Sequence, residues 1–486
     1  MGSWLILEPM NPSPQHPIPL YFQLKTMLLE DILSGRYGAG SRLPTEHELC
    51  RRYGMSRTPV TRALTELADE GVVLRHRRRG TFVNPHWVRR NVESRELRVM
   101  VPEGPWEQQI RRAAGDDVRL SVLRVGLAEL HSALTRAVAA GLGPDLVVLD
   151  SVWVHEFVSD GFLLPLEELD PAWIRGEYRE DFLHPFVEAN SHDGGTYAIQ
   201  AEADVAGVWY RRAVLEGLGL PEPTTWADLR RAGRELRHRN GGHPLVLPGG
   251  SAGGEATTYC LLALLASNGA TVLDKGRVTL DSAASVGALR FLRGLADDGI
   301  VPVHVVTYEW DRPIRMLAKG EAAISFGGSY EARWLAKAAG VSVGHVTDHF
   351  NFVPMPAGPG GVRASLAGGM VYCVTRQARN PVAAMELLER LVAPPALRVM
   401  HRETGQIPPR LSALQVLARQ SPFLALTVDM LGHAVTRPTT SSYALVSAQL
   451  QVMLEGMFTR QRSPQGAVAR AAEMISAVTG LPVAVR

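Results

Sequence analysis

The sequence predicts a multidomain chain, a small α+β head followed by a much larger α/β body of two lobes. Three observations lead there. Two helical patterns and two short strands are packed into Ser41 to Val83, strand-helix alternation takes over from Leu97, and the roughly 390 residues in that style exceed what a single lobe buries.

In the head, Tyr21 to Leu33 places Leu20, Leu24, Met27, Leu28 and Ile32 on one face, which predicts a first helix. Thr45 with Glu48 three residues on forms a capping box, so a second helix runs to about Tyr53, with Leu49 and Tyr53 inward and Gly54 ending it. Ser56 is placed to cap a third helix, whose first turn tolerates Pro59 because backbone donors there lack intrahelical partners. Val60, Ala63, Leu64 and Leu67 fall on its inner side; Arg57, Thr58, Thr61 and Arg62 fall on the other, and Gly71 closes it. Val72 to Leu74, the basic run Arg75 to Arg79, then Gly80 to Val83 read as two strands joined by a cationic tip. Helix, turn, helix and basic hairpin is the layout of a winged helix-turn-helix, and in that context the basic run points to nucleic acid rather than to a solvated loop.

The segments PIPLYFQLK, LPTEHEL, SRTPVTRAL, DEGVV and RGTFV follow one another in residues 17–84. In order and spacing they resemble the DNA-binding domain of the GntR family of bacterial transcription regulators. The resemblance implies DNA-facing positions at Arg42, Thr45, Ser56, Arg57, Thr58, Arg62, Gly80 and Thr81. His47 and Thr61 stand where that family commonly has arginine, and Arg78 where its wing has glycine. These departures imply an altered base preference with more phosphate contact.

Charge is distributed to match. From Pro17 to Arg90 there are thirteen Lys and Arg against seven Asp and Glu, a net +6 in a chain of +2, which leaves −4 for the rest. The nucleic-acid partner is therefore expected at the head alone. Cys50, Cys260 and Cys373 are isolated and odd in number, which fits a reducing compartment and argues against a disulfide framework. The opening stretch MGSWLILEPMNPSPQHP has too short an apolar run and no basic start for a signal peptide or membrane anchor, so a cytoplasmic location is expected. Residues 1–16 read as an extended arm in which Trp4 to Leu7 is a docking segment or disordered, 17–84 as the head, 85–96 as a polar linker and 97–486 as the body.

In the body, LRVMV, a helix near Trp106 to Ala114, VRLSVLRV, a helix from Leu127 to Ala140 and DLVVLD predict an α/β layer with a largely parallel sheet. The pattern continues through VLP near Val246, helices from Thr257 to Ser267 and Ser282 to Leu295, the strands AAISFGG, NFVPMP and MVYCV, and helices at Pro381 to Val392 and Tyr443 to Phe458. Six landmarks then follow in order: AAGLGPDLVVLD with DGFLLPLEEL, GTYAIQAEADVAGVWYRRAVLEGLGLPEPTTWADL, KGEAAISFGGSYEARWL, NFVPMPAGPGG, ASLAGGMVYCV and RPTTSSYALVSAQLQ. Together they resemble family 1 extracellular solute-binding proteins, the two-lobed periplasmic-binding-protein-like fold of maltose-binding proteins. That resemblance implies a sugar or oligosaccharide held in an interlobe cleft.

Sugars require flat apolar faces for their C–H surfaces and acidic groups for their hydroxyls. Asp150 and Trp153 follow the strand LVVL at a carboxyl edge. Glu202 and Asp204 precede WYR, where the resemblance implies an acidic ligand; Glu255 and Tyr259 follow the loop PGGSAGG. Tyr330 stands where the resembled family often has a stacking tryptophan, and Gly368 and Gly369 permit close backbone approach. Trp106, Trp310 and Tyr443 are further candidates. Trp209 and Trp226 lie in segments that read as packed core.

Three rival chemistries have some footing. A pyridoxal-phosphate aminotransferase-like body needs a buried Schiff-base lysine, and Lys275, Lys319 and Lys337 are poorly placed for one. Gly249 to Gly253 fits G-x-S-x-G around Ser251, the signature of a serine hydrolase, but lacks an evident acid and histidine pair. His345, Asp348 and His349 could suggest a metal but lack a further ligand. No cofactor and no metal are expected. The sequence thus leads to a transcription regulator without enzyme activity, a repressor that binds a palindromic DNA operator as a homodimer and senses a small solute, with no membrane association.

Overall fold

Leu24, Leu28 and Ile32 recur at helical spacing and form the inner side of α1 (Leu20–Leu33) in the computed structural model, which describes residues 19–33, 36–76, 79–85, 87, 95–116, 118–239 and 243–484. The arm at Trp4 to Leu7, wing residue Arg78 and most of the expected linker lie outside the described residues. Thr45 caps α2 (Glu46–Tyr53): Glu48 N donates to Thr45 Oγ1 at 3.2 Å and Thr45 N donates to Glu48 Oε2 at 2.7 Å, so two otherwise orphaned donors are satisfied. Gly54 ends the helix at φ 62°, in the left-handed region that glycine tolerates. Ser56 occupies the N-cap of α3 (Arg57–Asp69), but its hydroxyl makes no capping bond. The strands β1 (Val73–His76) and β2 (Gly80–Val83) pair antiparallel, Arg75 opposite Thr81. Leu49, Tyr53, Val60, Leu64, Leu67, Val73 and Val83 close one buried core over α1. This is a winged helix-turn-helix.

The body opens with β3 (Arg95–Pro102), α4 (Trp106–Ala114), β4 (Val118–Val125), α5 (Leu130–Ala139) and β5 (Leu146–Asp150). Both β4 and β5 run parallel to β3, as expected of right-handed strand-helix-strand units. Asp145 fastens the start of β5 by accepting from Arg98 N at 2.7 Å and from Arg98 Nε at 3.2 Å. Two compact units partition the chain, Met1–Val148 with Val374–Leu387, and Leu149–Cys373 with Leu388–Arg486.

The second unit contains β6 (Ile199–Gln200), β7 (Asp204–Arg211), α6 (Trp226–Arg239), β8 (His243–Val246), α7 (Glu255–Ala266), α8 (Ala283–Asp297), β9 (Ala322–Gly328), β10 (Phe350–Val353), β11 (Ala367–Gly368), β12 (Met370–Val374), α9 (Tyr443–Phe458) and α10 (Pro464–Thr479). Its larger sheet runs β8-β9-β7-β10 with β11 also on β7. Here the expectation of a largely parallel sheet fails: β8 is parallel to β9, but β7 is antiparallel to β9, β10 and β11. The chain reaches β7 from β6, a strand of a different sheet, so no crossover helix from a neighbour within this sheet sets its direction. The antiparallel register has a consequence: it sets the beginning of β7 beside the end of β9, Ala206 against Gly328, and Asp204 against Gly368.

Helix α7 is buried from Thr257 to Leu265, at the centre of the largest apolar cluster, which explains its lack of a polar face. Trp209 and Trp226 are core, as expected. Trp209 packs 4.4 Å from Phe352 between ring centroids and donates to Gly328 O at 3.0 Å; Trp226 stacks on Phe291 at 4.5 Å. Among the described residues no helix is long and apolar enough to cross a membrane.

Candidate functional site

On the head, the exposed side of α3 carries Arg57, Thr58 and Arg62, with Thr61 half-buried, and these residues line an open groove with Thr65 and Glu66. Arg62 lies over the Tyr21 ring, 3.7 Å from its centroid, and pairs with Glu66 at 3.1 Å. Arg42 bridges to Phe82, next to the wing, and Gly80 at φ 109° makes room for it. A Cβ there would stand 2.8 Å from Arg42 Nε, so the wing glycine and the arginine form one feature. His47, Ser56 and Thr58 are exposed, and Thr81 is half-buried on β2.

Sequence reasoning passed over Glu46. It accepts from Arg57 Nε at 3.1 Å and Thr61 Oγ1 at 3.2 Å and also pairs with Arg75 on β1, tying α3 to the wing. Burial works to raise its pKa, but the hydrogen bonds from Arg57 and Thr61 and the charge of Arg75 prevail and hold it below the usual carboxylate range.

In the second unit, the strand ends collect the other group of candidates. Asp204 opens β7 and Tyr259 lies one turn into α7; the Tyr259 hydroxyl hydrogen-bonds to Asp204. Asp150, at the carboxyl end of β5, is next to Ser151, whose N–H donates to Gly369 O at 3.1 Å. At the centre sits Arg437, which follows a parallel bridge between Leu366 and Val435. Its Nη1 donates to Asp150 Oδ1 at 2.8 Å and to Glu255 Oε1 at 3.3 Å, and its guanidinium lies 4.9 Å from the Tyr259 ring centroid. Glu255, the first residue of α7, also accepts from Tyr443 Oη at 2.6 Å and Ser447 Oγ at 2.7 Å, both on α9.

The glycine pair is what lets this cluster close. A Cβ on Gly368 would overlap Arg437 Nη2 and stand 2.6 Å from Asp204 Oδ1, while Gly369, at φ 141°, would drive one into the carbonyl of Glu202. Met370 N donates to Glu202 Oε1 at 2.9 Å. Glu202 Oε2 and Arg437 Nε are buried without a hydrogen-bond partner.

Four carboxylates thus stand around one guanidinium, Glu202 and Asp204 buried and Asp150 and Glu255 half-buried, and the acidities of Glu202, Asp204 and Glu255 respond. Burial, opposed by Arg437, pushes Glu255 up to about 7; burial pushes Asp204 up to about 6. Glu202 rises well above the carboxylate range, through burial first and then the adjacent charge of Asp204. Arg437 is held the other way: burial lowers its pKa, but Asp150, Tyr443, Glu255 and Asp204 together raise it well above that of an ordinary arginine.

Of the sequence candidates, the structure brings Asp150, Glu202, Asp204, Glu255, Tyr259, Gly368, Gly369 and Tyr443 into this cluster. Tyr330 is 6.4 Å from Tyr259 and 6.5 Å from Trp310 between ring centroids, which extends an aromatic wall to Trp334. Trp153 is half-buried on the turn directly after Asp150. Trp106 belongs to the other compact unit, buried at the start of α4. Arg437 and Ser447 were missed although both lie within RPTTSSYALVSAQLQ; an arginine six residues before a candidate tyrosine was the available signal.

The rival chemistries find no assembled site. Ser251 Oγ donates to Glu455 Oε2 at 2.8 Å rather than to an imidazole. Lys275 sits in the exposed two-residue turn of a short hairpin, and Lys319 and Lys337 are exposed at helix ends. His345 and Asp348 are exposed, and among the described residues no three His, Cys, Asp or Glu side chains are arranged to hold a metal.

Residues 107–396 match the family model for bacterial extracellular solute-binding proteins, and residues 20–83 match that for bacterial regulatory proteins of the gntR family. A binding protein of Brucella abortus (strain 2308) is 21% identical over 312 residues, 62% of this chain and 73% of its own length. The HTH-type transcriptional repressor NagR of Bacillus subtilis (strain 168) is 40% identical over 75 residues, 15% of this chain and 31% of its own. Among solved structures, maltose-bound MalE3 of T. maritima aligns with a TM-score of 0.71 at 25% identity, covering 79% of this chain and all of that one. An ABC transporter solute-binding protein of Thermotoga lettingae bound with α-D-tagatose aligns at 0.72 and 22% identity, over 80% and 100%.

Proposed function

The chain belongs to the bacterial extracellular solute-binding protein family and carries a gntR-type DNA-binding domain ahead of it, and from that premise we propose a cytoplasmic transcription repressor that senses a carbohydrate. The observation that carries the reading is the group formed by buried Glu202 and Asp204 with half-buried Asp150, Glu255 and Arg437, beside the Tyr259 and Tyr330 rings. Charged acceptors with a flanking aromatic face meet the two needs of a sugar, hydroxyl donors and C–H surface, at once. The maltose and tagatose held by the structural neighbours support a saccharide, and the match to NagR supports repression.

In this reading Arg42, His47, Arg57, Thr58, Arg62 and the wing face the duplex, with Thr45, Ser56, Thr61, Gly80 and Thr81 beside them. Two copies engage half-sites about one helical turn apart, as helix-turn-helix dimers do. Ligand shifts the chain between a DNA-competent and an incompetent state; a near-complete switch requires a preference on the order of 5 kcal/mol for one state over the other.

Selection of bound duplexes from a random library would supply the operator, and fluorescence anisotropy would then measure its affinity with and without a panel of mono- and disaccharides. Arg57→Ala should weaken operator binding by about 1 to 3 kcal/mol. At least one saccharide should shift the affinity of the unaltered chain. A panel that leaves operator affinity and thermal stability unmoved would exclude a carbohydrate sensor.

A further inference from the structure

We propose that the ligand of this cluster bears a protonated amine on its hydroxyl-rich scaffold, and that Glu202 and Asp204 form the seat for the ammonium. The proposal rests on the carbohydrate reading above and specifies its class: an amino sugar or a sugar-amine conjugate rather than a neutral saccharide.

The acidic groups of the cluster outnumber its cation. Asp150, Glu202, Asp204 and Glu255 are four acids, and Arg437 is the cation among them. Arg437 makes its ion pairs with Asp150 and Glu255, so the Glu202 and Asp204 half of the cluster has no cation hydrogen-bonded to it. Asp204 is served by a tyrosine hydroxyl, a neutral donor. Glu202 gives one oxygen to Met370 N and leaves Oε2 unpartnered at 1% exposure. That is an acceptor held out of water with nothing to accept from, a costly arrangement unless a ligand completes it.

A sugar hydroxyl would give Glu202 Oε2 a partner but no charge, so it could not offset the burial and the Asp204 charge that oppose ionisation of Glu202. An ammonium supplies up to three donors and the missing charge together. The Tyr259 ring already faces Arg437, and the Tyr330 ring 6.4 Å from it is the neighbouring electron-rich surface that a second cation would favour. A metal ion is a poorer occupant, because the described carboxylates do not converge as metal ligands do.

The test uses the full chain and matched pairs that differ at one group: glucosamine against glucose, galactosamine against galactose, and deacetylated chitobiose against cellobiose. Thermal shift would rank them at neutral pH and calorimetry would give Kd. The amine member of at least one pair should bind about ten-fold more tightly than its neutral twin. In Glu202→Gln that ratio should fall to about one while the ligand-free melting temperature is kept or raised; Asp204→Asn provides the same readout if Glu202→Gln does not fold. Neutral twins that bind as well as the amines, or an amine preference that survives both variants, would overturn the proposal and leave a neutral-sugar sensor standing. If no member of any pair shifts the melting temperature, the proposal and the carbohydrate reading both fall.

Discussion

Arg437 is the residue on which the buried acids depend. It is 8% exposed at its side chain, pairs with Asp150 and Glu255, and its departure would leave both carboxylates in low dielectric with no cation. Removing one partner of a buried pair is far more damaging than never having had the pair, because the stranded charge keeps its desolvation penalty. Arg437→Met, which fills similar volume without charge, should therefore lower unfolding stability by about 3 to 5 kcal/mol. The loss should shrink as pH drops and Glu255, raised to about 7, becomes neutral. Urea denaturation of the variant at pH near neutrality and in mild acid would measure this; an unchanged midpoint at neutral pH would mean that Arg437 is dispensable to the cluster. Beyond its place six residues before Tyr443, nothing in the sequence marked Arg437, since its partners lie 182 and 287 positions away and no local periodicity reports them. Asp150, Glu202, Asp204, Glu255 and Tyr259 were legible for the opposite reason: each sits at the end of a strand or the start of a helix, where local pattern alone marks a loop edge.

Between elements, Glu46 is a clamp. One carboxylate at the start of α2 holds Arg57 at the start of α3 and Arg75 on β1, two cations that the proposed DNA face would present from different elements. DNA phosphates must compete with Glu46 for both. Glu46→Gln should therefore raise affinity for nonspecific duplex several-fold, because one negative charge near the phosphates is gone and the arginines are freer. It should also lower the ratio of operator to nonspecific affinity, because Arg57 loses the hold that sets its direction toward a base. Anisotropy titrations against the selected operator and a scrambled duplex over a salt series would read both quantities, and an unchanged ratio would remove Glu46 from any role in reading. Element existence was largely legible in advance. The helix at Trp106 to Ala114 falls where apolar spacing put it, and so does the one at Tyr443 to Phe458. Strand direction was not. β7 runs antiparallel to β9, and hydrophobic spacing carries no information about which way a strand runs.

At the scale of the molecule, the raised acidities make stability depend on pH with a defined sign. A carboxyl group that titrates higher in the folded than in the unfolded chain binds its proton more tightly when folded, so its stabilising contribution is complete at low pH and is lost as pH rises between the two values. For Glu255 that window runs from its ordinary 4.5 to about 7, and for Asp204 from 3.8 to about 6. Glu96, raised by burial to about 7 in the other compact unit, acts in the same direction. Asp181, Asp228 and Asp298, held below the usual carboxylate range, act oppositely, but below pH 4. Between about pH 5 and 7 each raised carboxyl should take away stability as pH rises, on the order of 1 kcal/mol per unit, while His155, His243 and His401, which burial holds below the ordinary 6.5, work the other way over part of the same interval. Glu255→Gln isolates one contribution, since the amide keeps an acceptor for Tyr443 and cannot ionise. Plotted as wild type minus variant, the urea midpoint should fall across this interval and flatten above pH 7, where Glu255 is ionised in both folded and unfolded chains. Parallel curves for wild type and variant would mean that Glu255 titrates normally and that the cluster is open to water in solution. A sloping difference that a bound amino sugar abolishes would tie the same protons to the ligand, because an ammonium stabilises the ionised carboxylates and draws their pKa values back down.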